Sequence, residues 1–464
     1  MPPGGADNPL RVAIVGSGPA GFYAAGHLLK TKDVEVQVDV FDRLPTPWGL
    51  VRGGVAPDHP NIKAVSRVYE KTAAMPGFRF FGNVDFGTDV THDELTDRYH
   101  AVMYAVGAQT DRRMGIPGED LAGSHSATDL VAWYNGHPEY RDLEFDLSAK
   151  TAVVVGNGNV AMDVTRMLTT DPGELARTDC ADHALEALCE SKVSEVVVLG
   201  RRGPAQAAFT NPELLELREL TGADVFVDPR DCELDEHSSE SLRTNGTKTA
   251  RRNVEILTGY STSEPTGSER SIDLRFLVSP VEILGDERVE GVRIVRNELH
   301  RGDDGVVRSE PTDITDVIGC GLVFRSIGYR GVPLEGVPFD ERGGVIPNEG
   351  GRITDGGVPV LGEYAVGWIK RGPNGIIGTN KRDAQETVNA IVEDAAAGRV
   401  LDPSDPDPDS VEALIGERKP DHVTYAGWEA IDRAEREAGE AAGRPRVKLT
   451  RTEELVEAAR EKVG

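Results

Sequence analysis

Two short apolar runs, each ending in a close-set pair of glycines and followed by apolar residues at helical spacing, constrain this chain more than any other feature. Leu10 to Val15 leads into Gly16-Ser17-Gly18-Pro19-Ala20-Gly21, after which Phe22, Ala25, Leu28 and Leu29 recur at the period of a helix. A second run, Val34 to Phe41, ends in the acid Asp42, 21 residues beyond Gly21. The pattern returns at Thr151, where AVVV precedes Gly156-Asn157-Gly158-Asn159-Val160-Ala161 and the helical stretch MDVTRMLTT. Its next strand, Glu195 to Leu199, ends in Gly200-Arg201-Arg202-Gly203 rather than in an acid.

Strand, glycine turn and helix start together aim backbone N–H groups at one point, where a pyrophosphate can sit. An acid at the end of the following strand accepts from free ribose hydroxyls but repels a 2′-phosphate, and paired arginines reverse that preference. The first turn is therefore expected to hold FAD and the second NADPH. Arg201 and Arg202 could instead be solvated turn residues; their place at a strand end favours the ligand reading.

The length of 464 residues suits two or three domains. RYHAVMYAVGAQTDR (98–112) and GLVFRSIGYRG (321–331) each run from an apolar strand into glycine and polar residues, as where a chain leaves and re-enters a domain. The expected fold is α/β, with two Rossmann-like dinucleotide-binding domains. The NADPH domain, 110–325, is inserted in an FAD domain made of 1–109 and 326–464. The stretch 231–270, rich in Ser, Thr, Glu and Arg, is expected to be a mobile loop or an edge of the inserted domain. DPSDPDPD (402–409) reads as a linker, and two charged helical stretches near 422–440 and 451–463 read as covering helices.

With 51 basic against 78 acidic residues the formal charge is −27, so no nucleic acid partner is expected. No apolar run nears the roughly 20 residues that span a bilayer, and MPPGGADNPLR lacks the basic and apolar regions of a signal peptide. The expected location is cytoplasmic, with no membrane partner. Cys180, Cys189, Cys232 and Cys320 form no C-x-x-C, so neither a dithiol pair nor a metal site is expected, and any redox chemistry needs an organic cofactor.

The residues around the two turns are more specific. LPTPWGLVRGGVAPDHPNIK (44–63), VVVGNGNVAMDV (153–164), GRRGPAQAAFT (200–210) and YAVGWIKRGPNGIIGTNKRDA (364–384) resemble the adrenodoxin-reductase-like family, most closely its actinobacterial NADPH-ferredoxin reductases. The resemblance covers nearly the whole chain and thins in 231–270 and 396–464. It implies a flavoprotein that takes hydride from NADPH and hands single electrons to a ferredoxin.

Carried over by position, the resemblance puts the FAD turn on Gly16, Gly18, Ala20 and Gly21 and the ribose acid on Asp42, where relatives often have Glu. It puts the isoalloxazine bed near Leu50, an adenine-side contact on Phe86, and carboxy-terminal flavin contacts on Trp368, Gly375, Ile376 and Ile377. For NADPH it implies Arg112, the turn Asn157, Gly158, Asn159 and Val160, the pair Arg201 and Arg202, Glu213, and Gly375. It further implies a catalytic pair, His59 in APDHP and Glu216 in NPELLEL, in which a carboxylate holds the imidazole in one state beside the flavin. Without the resemblance His59 reads as a turn residue, and Glu213, one place after Pro212, as a residue favoured at the positive end of a helix.

Two other readings share these features. One is a flavoprotein of the same fold delivering two electrons to a small molecule, such as a quinone, or acting as a monooxygenase. The other is a flavin-domain protein without catalysis, which the retained second turn and arginine pair oppose. For the ferredoxin reading, an acidic partner needs a basic island on this acidic chain. Lys63, Arg67 and Lys71 stand at i, i+4, i+8 and would share one face of a helix. Lys370 and Arg371 follow Trp368, and Lys381 and Arg382 follow the GTN turn, so all seven are expected near the cofactor as the docking face.

Overall fold

A computed structural model describes residues 3–302 and 305–460. The chain divides into two compact units: Met1–Thr110, Asn135–Pro138 and Tyr329–Gly464 form the first, and Asp111–Tyr134 with Glu139–Gly328 the second. The return of residues 135–138 to the first unit has no signature in the sequence.

In the first unit a sheet runs in the order Asn348–Glu349, Arg352–Asp355, Val358–Ala365, Ala101–Tyr104, Leu10–Val15, Val36–Asp42, Phe78–Gly82. The last five strands are mutually parallel. A parallel strand covered on both faces reads as a nearly continuous apolar run, and Leu10–Val15 is buried throughout, its one charged residue, Arg11, paired with Asp39. Leu10, Val12 and Ile14 face one apolar cluster, while Ala13 and Val15 face the other.

The second unit repeats the plan with six parallel strands in the order Ser124–Ser126, Leu322–Arg325, Thr151–Val155, Glu195–Gly200, Arg270–Phe276, Ala223–Val227. Again alternate residues divide between two clusters, Ala152 and Val154 to one and Val153 and Val155 to the other. A separate antiparallel sheet of Val278–Leu284, Gly291–Arg301 and Val307–Gly319 follows.

Two expectations are corrected here. Of the two alternatives for 231–270 the loop is the one overturned: the stretch is mostly helical, with helices Glu236–Thr244 and Lys248–Ser261 capped by the side chains of Asp235 and Thr247. In the second of these, Asn253, Ile256, Leu257 and Tyr260 are buried at i, i+3, i+4 and i+7, a periodicity that the surrounding polar residues obscured. The other correction concerns 402–409, whose last two residues open a helix, Pro408–Arg418: proline suits a first helical position, and Asp407 caps it. Two further helices of this unit, Tyr425–Ala442 and Thr452–Arg460, pack through Trp428, Ile431, Leu455 and Val456 against Phe22, Trp48 and Tyr69.

Candidate cofactor sites

In the first unit the glycine turn has the shape a dinucleotide requires. Gly16 has φ +106, and a Cβ there would lie 2.6 Å from the Ala105 carbonyl oxygen. A Cβ on Gly18 would meet nothing within 4 Å, so the N-terminus of the helix Pro19–Leu28 opens onto free space. One on Gly21 would sit 2.2 Å from the Gly16 oxygen, which lets the helix pack closely on the turn. Ala20, on the buried side of that helix, is 7% exposed. Asp42 ends its strand beside the turn, where its carboxylate accepts from the Ser17 amide at 2.9 Å, from the Ser17 hydroxyl, and from the Leu44 amide at 2.9 Å. Burial pushes this carboxyl upward, against those hydrogen bonds.

Distant segments of the same unit converge on this turn. Trp48 donates its amide to Ser17 O at 3.0 Å, and Gly49 comes so close that a Cβ would lie 2.9 Å from the Gly18 Cα. Leu50 begins the short helix that follows, Leu50–Gly53. From the carboxy-terminal side, a Cβ on Gly367 would lie 2.6 Å from that of Ala20, so Trp368 is carried to the same place. Gly375, Ile376 and Ile377 precede the helix Thr379–Ala396, with Ile376 64% exposed. Phe86 lies edge-on to Tyr104 at 5.6 Å. Among the described residues the indole N–H groups of Trp48 and Trp368 are buried without a hydrogen-bond partner. Open space at a helix N-terminus, an acid at the next strand end and two orphaned donors fit a bound dinucleotide.

The sequence reading missed Asp383, which ties these pieces together. Its carboxylate accepts from the Gly367 amide at 2.6 Å, from Arg371 at 3.2 Å and from Lys370 Nζ at 3.0 Å. One buried acid thus fixes the Gly367–Trp368 turn to the helix Thr379–Ala396. Its only sequence signal is its place in the NKRDA segment.

In the second unit Gly156 has φ +122, a Cβ there would lie 2.1 Å from Ser326 O, and one on Gly158 would meet nothing within 4 Å. The helix Asn159–Thr169 begins at this opening, with Val160 in its first turn. The backbone oxygen of Asn157 accepts from the Ala208 and Phe209 amides at 3.1 Å, and Asn159 Oδ1 accepts from the Thr210 amide at 2.8 Å. The strand Glu195–Gly200 then delivers Arg201, exposed, and Arg202, half-buried. Neither guanidinium has an ion-pair partner among the described residues; burial and then its neighbour Arg201 lower the pKa of Arg202. Such an unpaired cation pair is a ready anion site. Arg112, likewise exposed, donates its backbone amide to Gly328 O at 3.0 Å.

Glu213 and Glu216 stand on the helix Asn211–Glu219, whose entry is zipped to the glycine turn by the bonds just described. Both carboxylates lean on Arg166, which is 1% exposed, at 2.8 and 3.3 Å, and Asp163 takes its other nitrogen at 2.6 Å. Arg166 also lay outside the sequence reading; three carboxylates around one guanidinium come from three turns of two helices. Glu213, 6% exposed, is the more deeply held of the pair. His59, in the first unit, is the half-buried residue before the short helix Pro60–Lys63.

The expected seven-residue docking face is corrected. The helix breaks at Ala64–Val65, so Lys63 ends one helix while Arg67 and Lys71 belong to another, Ser66–Ala73, and Lys63 reaches Asn135 Oδ1 at 3.4 Å. Lys370 is 8% exposed and bonded to Asp383, Glu386 and Thr387, and Arg371 is held by Asp383 and Asn380. A sequence position beside the cofactor segment does not reveal that the side chain turns inward. Arg67, Lys71, Lys381 and Arg382 remain exposed and without ion-pair partners among the described residues.

Residues 10–199 match the family described as pyridine nucleotide-disulphide oxidoreductase. The chain is 52% identical over 456 residues to the NADPH-ferredoxin reductase FprA of Mycobacterium tuberculosis, covering 97% of this chain and 98% of that protein. It is 43% identical to the mitochondrial NADPH:adrenodoxin oxidoreductase of Salvelinus fontinalis, covering 97% and 91%. A solved structure of M. tuberculosis FprA in complex with NADPH matches with a TM-score of 0.92 at 50% identity, over 97% of this chain and all of that one.

Proposed function

Because this chain belongs to the adrenodoxin-reductase-like family of NADPH-ferredoxin reductases, we propose that it oxidises NADPH and reduces a ferredoxin-type iron–sulfur protein. The balance is one NADPH and two oxidised ferredoxins giving NADP⁺, a proton and two reduced ferredoxins. The observation that carries this reading is the contrast between the two glycine turns: Asp42 beside the first, the unpaired Arg201 and Arg202 beside the second. An acid suits a dinucleotide with a free ribose hydroxyl, and the arginines suit a 2′-phosphate.

In this reading the first unit holds FAD through Gly16, Gly18, Ala20, Gly21 and Asp42, with Leu50, Phe86, Trp368, Ile376 and Ile377 along its length. The second holds NADPH through Asn157 to Val160, Arg112, Arg201, Arg202 and Glu213; the family resemblance adds Gly375 to this set. Bound FAD supplies the conversion between a two-electron donor and a one-electron acceptor. Asp383 holds the Trp368 turn rigid, and Arg166, paired with Glu213 and Glu216, fixes where both carboxylates point; rigid surroundings are what place reacting groups within reach. The family resemblance supports His59 and Glu216 as the catalytic pair.

The docking face is proposed to be the four exposed cations Arg67, Lys71, Lys381 and Arg382. Their helices flank the glycine-turn helix Pro19–Leu28, with Thr72 against Gly26 on one side and His27 Nε2 3.2 Å from Lys381 O on the other. Anaerobic titration of the flavin-loaded protein with NADPH tests the first half-reaction by bleaching at about 450 nm. Addition of an oxidised ferredoxin tests the second by recovery of that band. Bleaching by NADPH with no recovery by any ferredoxin, but recovery with a quinone, would replace the acceptor.

A further inference from the structure

The carboxy-terminal helices read from sequence as a cover, yet one of them carries an acid into the interior. Glu435, on the helix Tyr425–Ala442, has a side chain with no exposure at all. Its Oε1 accepts from Arg52 at 2.5 Å and from the Leu449 amide at 3.0 Å; its Oε2 accepts from Arg52 at 2.8 Å and from Arg446 at 2.9 Å. Burial works against this charge and the two arginines outweigh it, drawing the carboxyl below its ordinary range. The approach of the chain that returns along this helix is tight: a Cβ on Gly439 would lie 2.4 Å from the Arg446 Cα.

Arg52 belongs to the segment that passes over the first glycine turn. Its guanidinium also lies 5.4 Å from the ring centroid of Trp428, and Trp428 meets Trp48 edge-on at 4.8 Å. Trp48 has φ +86, in the left-handed region that a bulky residue enters only when its surroundings force it there. A helix that merely covered this surface could do so with apolar side chains, because a buried ion pair holds no better than good apolar packing. What a bidentate arginine–carboxylate pair adds is direction.

We propose that the helix Tyr425–Ala442 is a latch on the segment Trp48–Gly53, and that Glu435, acting through Arg52, is the positioning residue that fixes this segment beneath bound FAD. The proposal rests on the reading of Leu50 as the flavin bed. The latch joins residues 383 positions apart, Arg52 and Glu435, so the last part of the chain sets the geometry of a segment near its beginning.

The test uses purified, full-length, flavin-loaded protein and three variants: Glu435→Gln, Arg52→Lys and Val456→Ala. Val456 belongs to the same apolar cluster but is not part of the ion pair. The FAD dissociation constant, the visible flavin band and the thermal midpoint are measured for each. Glu435→Gln and Arg52→Lys are expected to raise the dissociation constant at least tenfold and to move the flavin band. Val456→Ala is expected to lower the midpoint and leave both flavin readouts in place. An FAD affinity within twofold of wild type in Glu435→Gln overturns the latch, as does an equal flavin change in Val456→Ala. If Glu435→Gln is not recovered folded, Arg52→Lys decides by the same thresholds. Wild-type protein that binds no FAD overturns the cofactor reading and the latch together, whereas FAD bound normally by every variant overturns the latch alone.

Discussion

Arg201 and Arg202 carry the sharpest expectation at the scale of single residues. Charge-assisted hydrogen bonds contribute about 1.5–3 kcal/mol each, so a preference for NADPH over NADH on the order of 10²–10⁴ follows. Replacing both with Ala should erase most of it, chiefly through KM, as steady-state kinetics with both coenzymes will measure. His59→Ala and Glu216→Ala should each slow flavin reduction by NADPH while FAD stays bound. Stopped-flow rates of the double variant should show losses that are less than additive if the two act as one unit. A third expectation concerns His92, whose Nε2 lies 3.0 Å from buried Glu363, itself bonded to Tyr104 at 3.1 Å. The Glu363 hydrogen bond, outweighing burial, pushes the imidazole up to about 9. A base raised above its unfolded pKa stabilises the fold fully below about pH 6.5, and that contribution disappears as pH rises through about 9, a change on the order of 1–3 kcal/mol. Urea unfolding should therefore show wild type losing its advantage over His92→Gln between pH 6 and pH 9.5. Glycines and arginines at strand ends were legible because their chemistry is local. Arg166, Asp383 and Glu435 were not, because each acquires its role from partners on other elements.

At the scale of elements, the parallel strands were legible from their apolar runs and glycine ends, while the helix Lys248–Ser261 was masked by its polar neighbours. That helix supports the second site from behind. Asn253, fully buried, donates to Phe209 O at 2.9 Å and accepts from Asn211 at 2.7 Å, and Tyr260 donates to Leu214 O at 2.6 Å. These bonds hold the entry of the helix that bears Glu213 and Glu216. Asn253→Ala leaves a buried carbonyl unpaired, at a cost of about 1–3 kcal/mol. The expected result is a fall in thermal midpoint of roughly 2–10 °C with a rise in the KM for NADPH, the first read by calorimetry and the second by initial rates. The antiparallel sheet 278–319 escaped the sequence reading although Gly285-Asp286 and Gly302-Asp303-Asp304-Gly305 are turn signals, because its strands carry mixed polar and apolar residues.

At the scale of the whole molecule, a charge of −27 opposes any acidic partner unless a local field attracts it. Reversing Arg67, Lys71, Lys381 and Arg382 to Glu should lower the ferredoxin-dependent rate several-fold at low salt and flatten its salt dependence, since screening acts over about 10 Å at 0.1 M. NADPH-dependent reduction of a neutral dye should be unchanged, and the two assays together measure the effect. The sequence reading called for a basic island, and exposure leaves Arg67, Lys71, Lys381 and Arg382 as its proposed members. The interrupted course of the first unit has a consequence in time. Ala101–Tyr104 is an inner strand, flanked by Leu10–Val15 on one side and by Val358–Ala365 on the other. During synthesis its second neighbour emerges about 260 residues later, some ten to fifty seconds at roughly 5–20 residues per second. For that interval the nascent chain displays an open strand edge, unpaired backbone N–H and C=O groups between mostly apolar side chains, and the part of the protein made first is among the last to be completed.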